Sequence, residues 1–236
     1  MKNITRTWLW LSIFSISMAA LESAVVVYLR ALFYGERMEL FPLQPLSEHL
    51  LWVELTRELA TLLMLLSVGV MLGKNRWSRM GYFLAAFGIW DIFYYVFLYV
   101  FLQWPESIVS WDILFLIPLP WFGPVLAPCL VSVLFILFGI ICSLHEDKGD
   151  ALRIRFEEWT GMILGTLTML YTFMEESLHL LFSGKINSAD PMILREMAEY
   201  IPQDFSWGIF TCGILLFAGG VFVYYRRIRL SHLVLY

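Results

Sequence analysis

Charge is scarce in this chain. Only 15% of its 236 residues are Asp, Glu, Lys or Arg, and 60% are hydrophobic. Soluble domains carry about 25% charged and about 45–50% apolar residues, so the water-soluble globular class is excluded first. The net charge is −4 with no basic block, which excludes a nucleic-acid partner. Cysteine is also sparse. Cys129, Cys142 and Cys212 are scattered through apolar runs with no CxxC pair, and small packing residues are the expected role of such thiols. Nucleotide and hydrolase signatures are missing too: there is no Walker loop, no GxSxG and no HExxH. No two histidines fall at depth on facing helices, which argues against a bis-histidine haem.

What the chain has instead is long apolar runs. A hydrocarbon core of about 30 Å needs about 20 apolar residues per helix, and the runs are continuous where a membrane β-barrel would alternate. The expected fold is an all-α polytopic membrane bundle, one transmembrane domain over residues 1–236. Its six spans fall near 8–33, 50–72, 80–102, 123–144, 159–182 and 205–225. Lys2 and Arg6 precede the first run, and Ser17-Met18-Ala19 could pass for a signal-peptidase site. The run continues to Phe33, so an uncleaved first helix is expected. Ser47 can cap the second span and Gly73 can end it, while Pro42 and Pro45 make the first loop irregular.

Basic residues set the expected orientation. Lys2, Arg6, Lys74, Arg76, Arg79, Lys148, Arg153, Arg155, Arg226, Arg227 and Arg229 fall on one side, and only Arg37, Lys185 and Arg195 on the other. The positive-inside rule then puts both termini in the cytoplasm.

The stretch 111–128 stands out. Trp111 to Ile117 is apolar but too short to cross, and Pro118, Pro120, Pro124 and Pro128 follow. Proline removes a backbone donor and breaks helices. Two readings stay open: a re-entrant segment or broken helix at a site, or an interfacial turn into the fourth span. Trp90-Asp91-Ile92 recurs as Trp111-Asp112-Ile113, but nothing longer repeats.

Polar residues inside the spans carry the functional signal. The first span holds Glu22 and Arg30. The second holds Glu54, Arg57, Glu58 and Thr61, spaced as one helical stripe. The third holds Asp91, with Tyr94 and Tyr95 a turn on. The fifth holds Thr168, Thr172, Glu175, Glu176 and His179. Such stripes should face the bundle interior. At about 1.5 Å per residue, Glu22 and Asp91 lie about 21 and 16 Å from their inner helix ends, Glu175 and Glu176 about 25 Å from theirs, and Glu54 and Glu58 about 6–12 Å from the outer end. All six carboxylates thus fall in the outer half of the bilayer, facing two arginines, Arg30 and Arg57, as counter-charges.

Each isolated charge at mid-helix costs about 2.5–3.5 kcal/mol, so six approach or exceed a typical domain stability of about 5–15 kcal/mol. The excess acids must be protonated, reached by water or bound to a cation. The expected proton- or cation-binding set is Glu22, Glu54, Glu58, Asp91, Glu175, Glu176 and His179. Trp90, Tyr94, Tyr95, Trp111 and Asp112 could line its pocket, with core packing as the alternative for the aromatics. Glu176 and His179 form ExxH, half of the pattern of four-helix di-iron sites. A divalent metal (Zn, Mn or Fe) on Glu22, Glu58, Glu176 and His179, with His49 as a further imidazole, is therefore a second expectation. A structural ion-pair network is the third. These correspond to coupled transport of a small solute, a membrane metalloenzyme, and an accessory subunit of a homo-oligomer or larger membrane complex. His145, beside Glu146 and Asp147, is expected to be solvated. Glu175-Glu176 also opens like a CAAX-type intramembrane protease, but the arginine and later histidine motifs of that family are missing.

Four phrases occur together: Glu22-Ser-Ala-Val-Val-Val-Tyr-Leu-Arg30, Glu54-x-x-Arg57-Glu58, Trp90-Asp-Ile-Phe-Tyr-Tyr95, and the run from Trp111 to Pro128. They resemble an uncharacterised family of bacterial multi-pass membrane proteins over spans one to four. The resemblance implies a bacterial inner-membrane setting and carries no activity and no functional residue.

Overall fold

The computed structural model describes residues 4–33, 47–146, 153–182 and 204–233. Among these residues six helices form where the apolar runs lie: α1 (Ile4–Phe33), α2 (Glu48–Leu72), α3 (Arg76–Leu102), α4 (Leu126–Leu144), α5 (Phe156–Phe182) and α6 (Trp207–Leu233). Five are long and apolar enough to cross a bilayer, and the protein is an all-α membrane bundle. α5 is the exception in composition, because Glu157, Glu158, Glu175 and Glu176 interrupt its apolar run. The helices run further than the sequence suggests at several ends. α1 starts at Ile4 and α6 continues to Leu233, so Arg226, Arg227 and Arg229 extend a helix.

The caps follow the local chemistry. Ser47 accepts from the Leu50 N–H at 3.4 Å, and the Gly73 N–H closes on Gly69 O at 3.0 Å. Asn75 and Ser78 form a reciprocal capping box that starts α3. Gln103 ends α3 in the left-handed region at φ 54°.

α3 is the central helix, with α1, α2 and α4 packed on it, while α5 and α6 pair with each other. Lipid tails are as apolar as leucine, so helix association in a bilayer depends on close packing of small residues. The α3–α4 seam shows this directly. A Cβ added at Gly139 would stand 2.5 Å from Gly81 O and 2.6 Å from Ala85 Cβ. On the α5–α6 seam, a Cβ at Gly165 would meet Phe217 N at 2.5 Å.

One end of the bundle gathers the basic loops. Trp8 Nε1 donates to Ser143 Oγ at 3.0 Å, and Glu146 accepts the Lys74 N–H at 2.6 Å. Buried Glu158 accepts from Arg227 Nε at 2.6 Å and from the Arg155 N–H at 2.8 Å. Glu146 is therefore buried and bonded, and His145, expected to be solvated, is half-buried. The His145 ring nitrogen Nδ1 lies 2.9 Å from Ile141 O. Asp147 and Lys148, like Pro42 and Pro45, lie outside the described residues.

Residues 111–124 form neither a helix nor a simple turn. β1 (Trp111–Ile113) and β2 (Phe122–Pro124) pair antiparallel, with Asp112 opposite Gly123. Leu114 N–H donates to Trp121 O at 2.9 Å and Trp121 N–H to Phe115 O at 2.7 Å. This hairpin satisfies its own backbone, as non-helical chain inside a membrane protein must. Helix side chains satisfy two further groups. The Leu116 N–H reaches both oxygens of Glu58 at 3.0 Å, and Ser177 Oγ on α5 donates to Pro120 O at 2.5 Å.

Candidate functional site

Glu22, Glu54, Arg57, Glu58, Thr61 and Asp91 come together at the end of the bundle opposite the basic loops. Their spacing places them there. Glu54, Arg57, Glu58 and Thr61 follow each other up one face of α2, and that face meets Glu22 on α1 and the Asp91–Tyr95 face of α3. The hairpin covers them from the loop side. Glu22, Glu54, Glu58 and Asp91 are each less than a tenth exposed.

Arg57 is the hub. Its Nε and Nη2 hold Glu54 Oε2 at 2.9 and 2.8 Å, and Nη1 holds Glu22 Oε2. Thr61 donates to the other oxygen of Glu22. One guanidinium, planar and always charged, thus serves two carboxylates. Glu58 receives only the Leu116 amide among its described hydrogen bonds, and Asp91 receives the Ser132 hydroxyl at 2.8 Å. Neither has an ion-pair partner among the described residues.

These groups surround a small cavity of about 60 Å³, lined by Glu22, Arg57, Glu58, Thr61, Trp90, Asp91, Tyr94 and Tyr95 with Ile113–Phe115 of the hairpin. A single water needs at least about 10–15 Å³, so the cavity has room for water. Trp90 is buried, and its indole N–H has no partner among the described residues. A buried donor with no acceptor is costly, and the Trp90 side chain belongs to the cavity lining.

A second ion pair sits beside this cavity. Arg30 Nη2 lies 3.8 Å from Asp112 Oδ1, and its guanidinium carbon stands 4.0 Å from the Trp104 ring centroid. Arg30 and Asp112 are both buried, so this cation is committed to Asp112 and an aromatic face and leaves Arg57 to the other acids. Trp111 is half-buried and its ring touches Phe205 at a centroid distance of 6.1 Å, away from the cavity lining.

The acids of α5 are placed elsewhere. Glu175 and Glu176 are half-buried, His179 is exposed, and none of the three lines the cavity. α5 packs on α6 and β2 and has no packed interface with α1 or α2 among the described residues. Among the described residues, no three His, Cys, Asp or Glu side chains are grouped as metal ligands would be. His49 is exposed. Glu22, Glu58, Glu176 and His179 therefore do not converge on one ion.

Two features of the site had no distinct sequence signal. Ser132 is an ordinary small residue within the α4 run until Asp91 is seen opposite it. The Arg30–Asp112 pair joins α1 to a hairpin that periodicity could not locate. Compared with family models, curated proteins and solved structures, the chain matches none.

Proposed function

We propose that this protein is a bacterial inner-membrane protein whose carboxylate cavity binds protons or a cation in coupling to the movement of a small solute. The supporting observation is the imbalance around one cavity: Arg57 pairs with Glu22 and Glu54, while Glu58 and Asp91, which also line the cavity, have no ion-pair partner among the described residues. Arg57 is occupied by Glu22 and Glu54. Glu58 and Asp91 then require protons or a bound cation, because an unpaired buried carboxylate is too costly to keep. The small polar volume between them has room for the water that would exchange those protons. The strong excess of Lys and Arg at the opposite end supports an outward-facing position for the cavity, and the resemblance of spans one to four supports the bacterial setting.

Infrared difference spectroscopy of the protein in lipid tests the proton reading. Protonated carboxyl bands assigned by Glu58→Gln and Asp91→Asn are expected, together with proton uptake into vesicles that either substitution abolishes. Ionised Glu58 and Asp91 accompanied by stoichiometric metal would overturn it in favour of a metal site. Ionised carboxylates without any cation would leave only a structural network.

A further inference from the structure

The end of the bundle that gathers the basic loops carries an open groove of about 500 Å³ on α5, lined by Phe156, Trp159, Thr160, Ile163 and Leu164. These positions recur at i, i+3, i+4, i+7 and i+8 and form one helix face. Phe156, Thr160, Ile163 and Leu164 are exposed and Trp159 is half-buried. Gly161 and Gly165, on another face, make the close approach to α6. Among the described residues α5 packs on α6 and β2, and no helix lies along the groove. The Thr160 hydroxyl is spent on Phe156 O at 2.8 Å, so the lining offers an occupant apolar surface. Trp159 is about 5 Å and Leu164 about 12 Å along α5 from its first residue. The groove thus runs from the level of the headgroups, where tryptophans gather, into the acyl region.

Charge of one sign borders its shallow end. The Trp77 ring of α3 stands 6.1 Å from the Trp159 ring. The guanidinium carbon of exposed Arg76 lies 4.7 Å from the Trp77 ring centroid. Such an aromatic contact places a guanidinium without using its N–H donors, which match phosphate oxygens in pairs. Arg155, also exposed, immediately precedes Phe156. Neither arginine has an ion-pair partner among the described residues. The buried acids at this end are committed: Glu146 to Lys74 at 3.8 Å and Glu158 to Arg227 at 2.6 Å. Exposed Glu157 sets one negative charge against Arg76, Arg155 and exposed Arg153.

We infer that this groove binds an anionic phospholipid, with an acyl chain along Phe156, Ile163 and Leu164 and the phosphate-bearing head held by Arg76 and Arg155. Charge complementarity selects the occupant, because basic residues at a membrane surface attract anionic heads. A zwitterionic lipid brings an ammonium that these arginines repel. A water-soluble anion has nothing to set against the apolar face. A second copy of this chain, docked groove to groove about a two-fold axis, would bring its own arginines against these. The inference is independent of the carboxylate cavity, which lies at the opposite end of the bundle.

The experiment uses the full chain in phosphatidylcholine nanodiscs with tracer phosphatidylglycerol carrying a photoreactive diazirine part-way along one acyl chain. The matching diazirine phosphatidylcholine is the control. Cross-links mapped by mass spectrometry should fall on Phe156, Ile163 and Leu164, with the phosphatidylglycerol tracer preferred. Arg76→Gln and Arg155→Gln should each lower that preference about fivefold, and added salt should lower it too. Arg229→Gln removes an exposed arginine at the same end but outside the groove lining, and should leave the preference unchanged. Leu164→Trp fills the groove, keeps both arginines and should reduce labelling by both lipids. Equal labelling by the two tracers would overturn the inference. So would a preference that Arg229→Gln lowers as much as Arg76→Gln, which is the general field of the basic end. Competition by soluble glycerol phosphate as strong as that by unlabelled phosphatidylglycerol would overturn the lipid as occupant. A dimer in native mass spectrometry that Leu164→Trp abolishes would assign the groove to a second copy instead.

Discussion

Ser132 on α4 donates its hydroxyl to Asp91 on α3 across 2.8 Å, both side chains buried. The approach of the two helices makes this contact possible. Gly88, one turn below Asp91, lies so near α4 that a Cβ there would stand 2.5 Å from Ser132 O. The small residues of the seam thus hold the carboxylate against its only described donor.

Gly88→Ala should therefore act at a distance of one turn. Overpacking a tight seam costs about 1–3 kcal/mol, and α4 must shift away from Asp91. Unfolding measured by steric trapping in bicelles should show that loss. In the double variant with Ser132→Ala the two effects should be less than additive, because both break the same contact. Full additivity would mean that Gly88 does not position Ser132.

Arg57 joins α2 to α1 through Glu22 while holding Glu54 on its own helix. Arg57→Leu leaves two buried carboxylates without their counter-charge; breaking a fully buried pair costs about 3–5 kcal/mol, and the partly exposed Arg57 places the loss at or below the low end of that range. Arg57→Lys should recover part of this, since an ammonium supplies charge without the two-sided fork. The same unfolding assay orders the three proteins: wild type, then Lys, then Leu.

Glu58 serves both charge and backbone. Glu58→Gln keeps an acceptor for the Leu116 N–H, so the fold should survive while proton uptake falls. Glu58→Leu leaves that amide unsatisfied and should cost about 1–3 kcal/mol, seen as faster proteolysis or hydrogen exchange near residues 114–121. Identical exchange in both variants would show that Glu58 does not anchor the hairpin.

At the opposite end, Glu158 receives Arg227 Nε at 2.6 Å and Nη2 at 2.9 Å, and Arg227 also reaches Arg153 O at 2.8 Å. Glu158→Gln should loosen α6 from α5 at this end by about 2 kcal/mol, less than a fully buried pair because Arg227 is partly exposed. Proton uptake should be unchanged, which separates this structural pair from the cavity acids.

Part of the site was legible before any coordinates. The Glu54, Arg57, Glu58 and Thr61 stripe followed from helical spacing, and helix rise put Glu22 and Asp91 at a common height. The same depth argument put Glu175 and Glu176 in that layer, yet α5 carries them beside α6 and outside the cavity lining. Rise per residue gives a coordinate along the membrane normal. It says nothing about which helix stands next to which.

The amino-acid sequence alone determined the solvent of this protein. Runs of about 20 apolar residues leave no alternative to membrane helices, because every backbone group in hydrocarbon needs an internal partner. It also determined that acid exceeds base within those runs. Tertiary structure decided which acids share a cavity and which have a cation: Arg57 for Glu22 and Glu54, Arg30 for Asp112, and for Asp91 only Ser132. It decided too that the proline-rich stretch is a hairpin held by Glu58 and Ser177. Apart from Arg57–Glu54 on one helix, those pairings join residues 35 (Arg57–Glu22) to 82 (Arg30–Asp112) positions apart, and they depend on helix neighbours and azimuths that no local periodicity records.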